Sequence, residues 1–118
     1  MNNQKINKLV AEQIMGWKVK KAMDGVTEYY DNGSFCEGKW VEDLGLREKD
    51  NVDVFKPSER IQDAWLVVQK FQYHKVEMDA GHYYCTLAND GPFFDGDSET
   101  APMAICLAAL KTVGVEVD

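Results

Sequence analysis

Hydrophobic positions along the chain change period several times, and each change predicts an element. The clearest run is Pro57 to Gln72. There Ile61, Ala64, Trp65, Val68 and Phe71 keep helical spacing, while Glu59, Arg60, Gln62, Asp63, Gln69 and Lys70 fall elsewhere on the wheel. That spacing predicts an amphipathic helix with Trp65 on its buried face, Ser58 as N-cap and Pro57 excluding an earlier start. Upstream, Ile6, Leu9, Val10, Ile14 and Trp17 predict a first helix from Asn3 to Gly16, with Asn3 capping and Gly16 in the C-terminal glycine position. From Trp17 the period shortens to two. Trp17, Val19 and Met23 alternate with Lys18, Lys20 and Ala22, Asp24-Gly25 supplies a turn, and Val26 to Tyr30 returns, which is a β-hairpin pattern.

Residues 31–56 keep no single period. Phe35, Trp40, Val41, Leu44 and Leu46 are too apolar for a free linker, so the segment is expected to lie on the globule, with a short strand near Gly38–Val41. A second hairpin is predicted from Lys75–Asp79 and His82–Ala88 about Ala80-Gly81. In its return strand Tyr83, Cys85 and Leu87 face one way and His82, Tyr84 and Thr86 the other. Asn89 to Glu99 reads as a glycine-rich acidic loop, with Phe93-Phe94 adding a short strand.

The last helix starts near Thr100, tolerates Pro102 in its first turn and ends at Gly114. Ala101, Ala104, Ile105, Ala108, Ala109 and Thr112 give it a small-residue face that lets a sheet approach closely, and Met103, Leu107 and Leu110 widen the apolar surface. Val115 to Asp118 is a tail that frays or adds an edge strand. The resulting order α-β-β-α-β-β-α predicts an α+β fold: a single-domain α/β sandwich over residues 1–118, with helices packed on a mainly antiparallel sheet.

Composition narrows the function classes. At 118 residues, 45% hydrophobic and 28% charged, the chain can bury a core without staples. No apolar run approaches the roughly 20 residues a membrane helix needs, so no membrane partner is expected. The start MNNQKINKLVAEQ lacks a signal-peptide apolar region, which places the expected location in a bacterial cytoplasm. Three separated cysteines fit reduced thiols. A net charge of −7 argues against direct nucleic-acid binding. The charge is also uneven. Residues 1–21 carry five lysines against Glu12, and residues 76–118 carry eight acids against Lys111, so an acidic face could meet a basic partner.

No constellation carries an enzyme signature. His82 and Cys85 are three apart on a strand and point to opposite faces, so they do not share a metal ion or form a nucleophilic pair. The acids Asp90, Asp95, Asp97 and Glu99 fail the EF-hand pattern, because Thr100 stands where its glycine belongs, and they read as a solvated loop. The glycines form no phosphate cradle, and no carboxylate pair or triad stands out. No cofactor, no metal and no catalytic residues are expected. Tyr29, Tyr30, Tyr83, Tyr84, Trp40 and Phe93 are numerous enough to line an aromatic surface, although strand aromatics more often pack within the sheet.

Three stretches in order, LVAEQIMGWK, DAWLVVQKF and TAPMAICLAAL, resemble the phage ABA sandwich domain family, small proteins of phages and prophages of Firmicutes. The resemblance spans nearly the whole chain. It implies a phage or prophage origin and a small sandwich of helices on a sheet, and it brings no activity and no catalytic residues. The chain departs from the family pattern at 31–57 and 89–99, where an individual function is expected. The resulting expectation is a small acidic phage accessory protein, not an enzyme, that binds and inhibits a host defence protein in the host cytoplasm. Asp90, Asp95, Asp97, Glu99, Phe93, Trp40 and Tyr84 are its candidate contact residues. The alternatives are a protein sequestering a small ligand or signalling nucleotide, and a phage structural or assembly factor; a homo-oligomer is compatible with each.

Overall fold

The computed structural model describes residues 2–21, 23, 25, 28–31, 39–40 and 54–115, with the side chains of 39–40 left aside. Helix α1 spans Asn3–Leu9. Its cap is Asn2 and not Asn3, because Asn2 has the extended backbone (φ −84°, ψ 167°) from which its side chain accepts the Lys5 N–H at 2.8 Å. The helix widens into a π-helical turn over Val10–Ile14 and ends where Gly16 takes φ +72°, as its position predicts. Trp17 then folds back onto Phe55 and Tyr30, with ring centroids 4.8 and 5.8 Å away.

Strands β1 (Lys18–Lys21) and β2 (Glu28–Asp31) form the first hairpin, and β3 (Lys39–Trp40) joins β2 within the predicted Gly38–Val41 stretch. Most of the segment 31–56, including Phe35, Val41, Leu44 and Leu46, lies outside the described residues. Its end is described: Val54 and Phe55 are buried.

The central helix is shorter and turned relative to its predicted face. Helix α2 covers Ile61–Val68, and residues 57–60 form a turn in which the Glu59 and Arg60 N–H groups donate to the Lys56 carbonyl. Ser58 does not cap it. The N-cap is Arg60, and the Ser58 N–H instead donates to the buried side chain of Asn7 at 2.9 Å. Trp65 and Ile61 remain 45% and 41% exposed, while Asp63, Ala64, Val67 and Val68 are buried. Two overlapping stripes, 61-64-65-68-71 and 63-64-67-68-71, have helical spacing here. The second wins because Asp63 accepts the Lys56 N–H at 2.9 Å, which turns this carboxylate inward and its neighbours with it.

The second hairpin forms as predicted, between β4 (Tyr73–Asp79) and β5 (His82–Ala88), with Ala80 and Gly81 both at positive φ in the turn. Tyr83, Cys85 and Leu87 face the core and Tyr84 faces outward. The predicted acidic loop is largely a strand, β6 (Phe94–Ser98), antiparallel to β5. The alternation explains it: Asp95 and Asp97 are exposed, and Gly96 between them is buried beneath the last helix.

That helix, α3 (Ala101–Thr112), starts as predicted on a Thr100 cap that accepts the Met103 N–H, and ends at Gly114, φ +79°. A Cβ added at Gly96 would lie 2.4 Å from the Ala108 nitrogen and 2.6 Å from the Ala104 carbonyl oxygen, so helix backbone rests directly on β6. Val115 donates to Leu110, and 116–118 lie outside the described residues. The fold is α+β with helices on antiparallel strands. Among the described residues the strands fall into two sheets, β1-β2-β3 and β4-β5-β6, and not one continuous sheet. One core joins them, containing Ile6, Val10, Tyr30, Phe55, Val67, Leu87, Ile105 and Leu110.

Candidate functional site

Strand alternation gives the β4-β5-β6 sheet two unlike faces. The inner face meets α3. On the outer face cross-strand register places Asp79 beside His82, Tyr84 between Glu77 and Asp97, and Thr86 between Lys75 and Asp95. Thr86 donates its hydroxyl to Asp95 Oδ1 at 2.7 Å, and His82 Nε2 lies 2.9 Å from Asp97 Oδ2 with its ring 5.1 Å from that of Tyr84. The Lys111 ammonium holds the Asp95 carbonyl at 2.6 Å, anchoring the edge strand from below.

Acidic groups on this face outnumber the lysine. Glu77, Asp79, Asp95 and Asp97 are all exposed, and Lys75 is the lysine among them. Lys75 is bonded to Glu77 at 2.7 Å, and that hydrogen bond first, then the carboxylate's charge, holds its pKa above the ordinary value. Tyr84 stands 45% exposed in the middle of the carboxylates. At one end Tyr73 and Phe93 meet edge to face at 5.1 Å, with Phe93 63% exposed.

Three of the seven predicted contact residues, Tyr84, Asp95 and Asp97, therefore share one face, with Phe93 at its end. Asp90 sits apart, at φ +49° in the turn between β5 and β6, where Asn89 accepts the Gln72 N–H at 2.8 Å. Glu99 leaves the sheet at the start of α3. Trp40 belongs to β3 of the other sheet, opposite Tyr29, and its side chain lies outside the described residues. His82 and Tyr73 were not singled out as contacts; register with Asp97 and the packing of Phe93 bring them in, and neither is legible from spacing.

A second feature lies at the C-terminal end of β6. The starts of α2 and α3 open onto a cleft of about 880 Å³ lined by Ser58, Glu59, Ile61, Tyr83, Glu99 and Met103, among others. The buried Ser58 hydroxyl has no hydrogen-bond partner.

Cys85 and Cys106, the thiols among the described residues, take no part in either place. Burial, and secondly the charge of Asp95, pushes Cys85 up to about 12; burial, then Cys85 and Asp63, pushes Cys106 up as well. His82 and Cys85 face opposite sides of the sheet, as spacing predicts. Among the described residues no group of three or more His, Cys, Asp or Glu side chains is arranged to hold a metal ion. No helix among them is long and apolar enough to cross a membrane.

An α+β sandwich with one sheet face left open to solvent is the class that this geometry defines. Within that class, the model of the phage ABA sandwich domain matches residues 8–110, and the chain belongs to that family. It is also similar to the crystal structure of a phage protein from Bacillus cereus ATCC 14579, at 29% identity and a TM-score of 0.67, over 100% of this chain and 93% of that one. No curated protein matches the chain.

Proposed function

We propose that this phage protein is a non-catalytic binding protein that inhibits a host protein, a defence factor by preference, through the outer face of β4-β5-β6. The observation that carries this reading is the gathering of Asp95, Asp97 and Glu77 around exposed Tyr84, with Lys75 as the face's lysine. Carboxylates around an aromatic suit a basic patch, such as the nucleic-acid-binding groove of a host enzyme, by charge complementarity with a stacking anchor. The test is retention of host-lysate proteins on the tagged chain, eluted in rising salt, beside the Asp95→Asn/Asp97→Asn variant. A retained basic protein should leave as salt screens the face, and the variant should hold it at least about tenfold more weakly. Binding indifferent to both salt and the two substitutions would refute the proposal.

A second reading, sequestration of a small ligand such as a signalling nucleotide, is favoured by the cleft at the starts of α2 and α3. Its volume is that of a small-molecule site, and the unpartnered Ser58 hydroxyl offers a hydrogen bond there. Native mass spectrometry showing a bound metabolite that Ser58→Ala loses would favour it. Purified chain at its sequence mass, with no thermal shift across a nucleotide panel, would count against it.

A further inference from the structure

Strand β4 is an edge with an unusual composition. It runs for seven residues, YHKVEMD, in uninterrupted register with β5, and β5 is its strand neighbour among the described residues. Natural edges of this length are usually broken by a bulge or a proline, or blocked by unmatched charge. Here there is neither bulge nor proline. The edge also leaves Met78 63% and Tyr73 43% exposed.

Hairpin geometry fixes which main-chain groups of β4 point away from β5. A two-residue turn at Ala80-Gly81 closes on Asp79 and His82 as a hydrogen-bonded pair. By alternation Glu77, Lys75 and Tyr73 also bond toward β5, and the amides and carbonyls of His74, Val76 and Met78 point away from it. These groups can bond a second strand.

We propose that the second strand is β4 of another copy of this chain, paired antiparallel about Val76. The sequence is self-complementary in that register. Lys75 of each copy lies opposite Glu77 of the other, His74 opposite Met78, Tyr73 opposite Asp79, and Val76 opposite itself. A strand can shift only in steps of two without turning its outer face inward. A shift one way sets Lys75 against Lys75, and a shift the other way sets Glu77 against Glu77; both place like charges directly opposite. The charges thus select one register among the antiparallel alternatives. The contact is isologous and closes as a dimer. It joins two three-stranded sheets into one, buries Met78 and Val76 on the inner side, and makes the two acidic outer faces continuous. The inference stands independently of what those faces bind.

Sedimentation velocity over a concentration series tests it. The 13.4 kDa chain should shift toward twice that mass as concentration rises. Glu77→Lys alone and Lys75→Glu alone should each raise the dimer dissociation constant at least about tenfold, because each sets like charges opposite. Combining them as Lys75→Glu/Glu77→Lys exchanges the two charges and should return the constant to within about threefold of the original. Both side chains are more than half exposed, so folding is not at stake. A chain that stays monomeric to about 1 mM, or a dimer that the single changes do not weaken, or one that the double change does not restore, overturns the proposal.

Discussion

Gly96 links the fold to the proposed face, and replacing it with alanine tests that link quantitatively. The new methyl would lie 2.4 Å from the Ala108 nitrogen and 2.6 Å from the Ala104 oxygen, where ordinary contacts begin near 3.4 Å. Both neighbours are helix backbone, so no side chain can swing aside, and α3 must retreat by roughly 1 Å. A gap of about 0.5–1 Å already forfeits about a quarter to a half of each dispersion contact that spans it. The retreat separates Ala104, Ala108 and their buried neighbours from the sheet, which places the cost at the upper end of the overpacking range, about 3 kcal/mol. In a domain of this length that corresponds to a fall in Tm of about 10 °C. Urea and thermal unfolding followed by circular dichroism would measure it, with Gly91→Ala as control, since a Cβ there meets only the Asn89 oxygen at 3.7 Å. Truncating Ala108 to glycine should not rescue the variant, because the clash is with its nitrogen. A loss below about 1 kcal/mol for Gly96→Ala would refute the direct seating of α3 on β6.

Two further outcomes follow from burial. Phe55→Ala should cost about 3–5 kcal/mol, since Phe55 is fully buried against Trp17 and Tyr30, whereas Trp65→Ala should cost about 2 kcal/mol or less, since Trp65 is 45% exposed. Equal losses in a urea melt would show that α2 faces the other way. Native Cys85 and Cys106 should resist alkylation at neutral pH, read by peptide mass spectrometry, because both are buried with raised pKa values. For stability the sign is fixed: unfolded thiols lose their protons near 9.0, the folded ones keep theirs, and the folded state therefore weakens as pH rises from there toward about 12. The drop in Tm between about pH 8 and about pH 10 should be smaller in Cys106→Ala, and an unchanged drop would mean the thiol is not buried as described.

Local chemistry determined much of this protein directly from its sequence. Gly81 tolerates positive φ, so the second turn and the alternation of its strands follow from residue type, whereas Ala80 takes φ +53° because the two-residue hairpin imposes it. Gly16, Thr100 and Gly114 mark helix ends for the same kind of reason, and three helices with antiparallel strands are legible from period alone. The opposed faces of His82 and Cys85 needed nothing more than strand geometry. Tertiary structure decided what local rules leave degenerate. The two stripes of α2 have equally good helical spacing, and the bond from the Lys56 N–H to Asp63 brings the one containing that carboxylate inward, a contact that spacing cannot supply. The run Asp95-Gly96-Asp97 reads as a loop because glycine and aspartate are poor strand formers. It becomes a strand because α3 needs a residue without a side chain beneath it, and that need exists only once the helix is in place. The acidic face has the same origin. Its carboxylates are visible in the sequence, but their gathering around Tyr84 depends on the register of three strands, set by long-range packing.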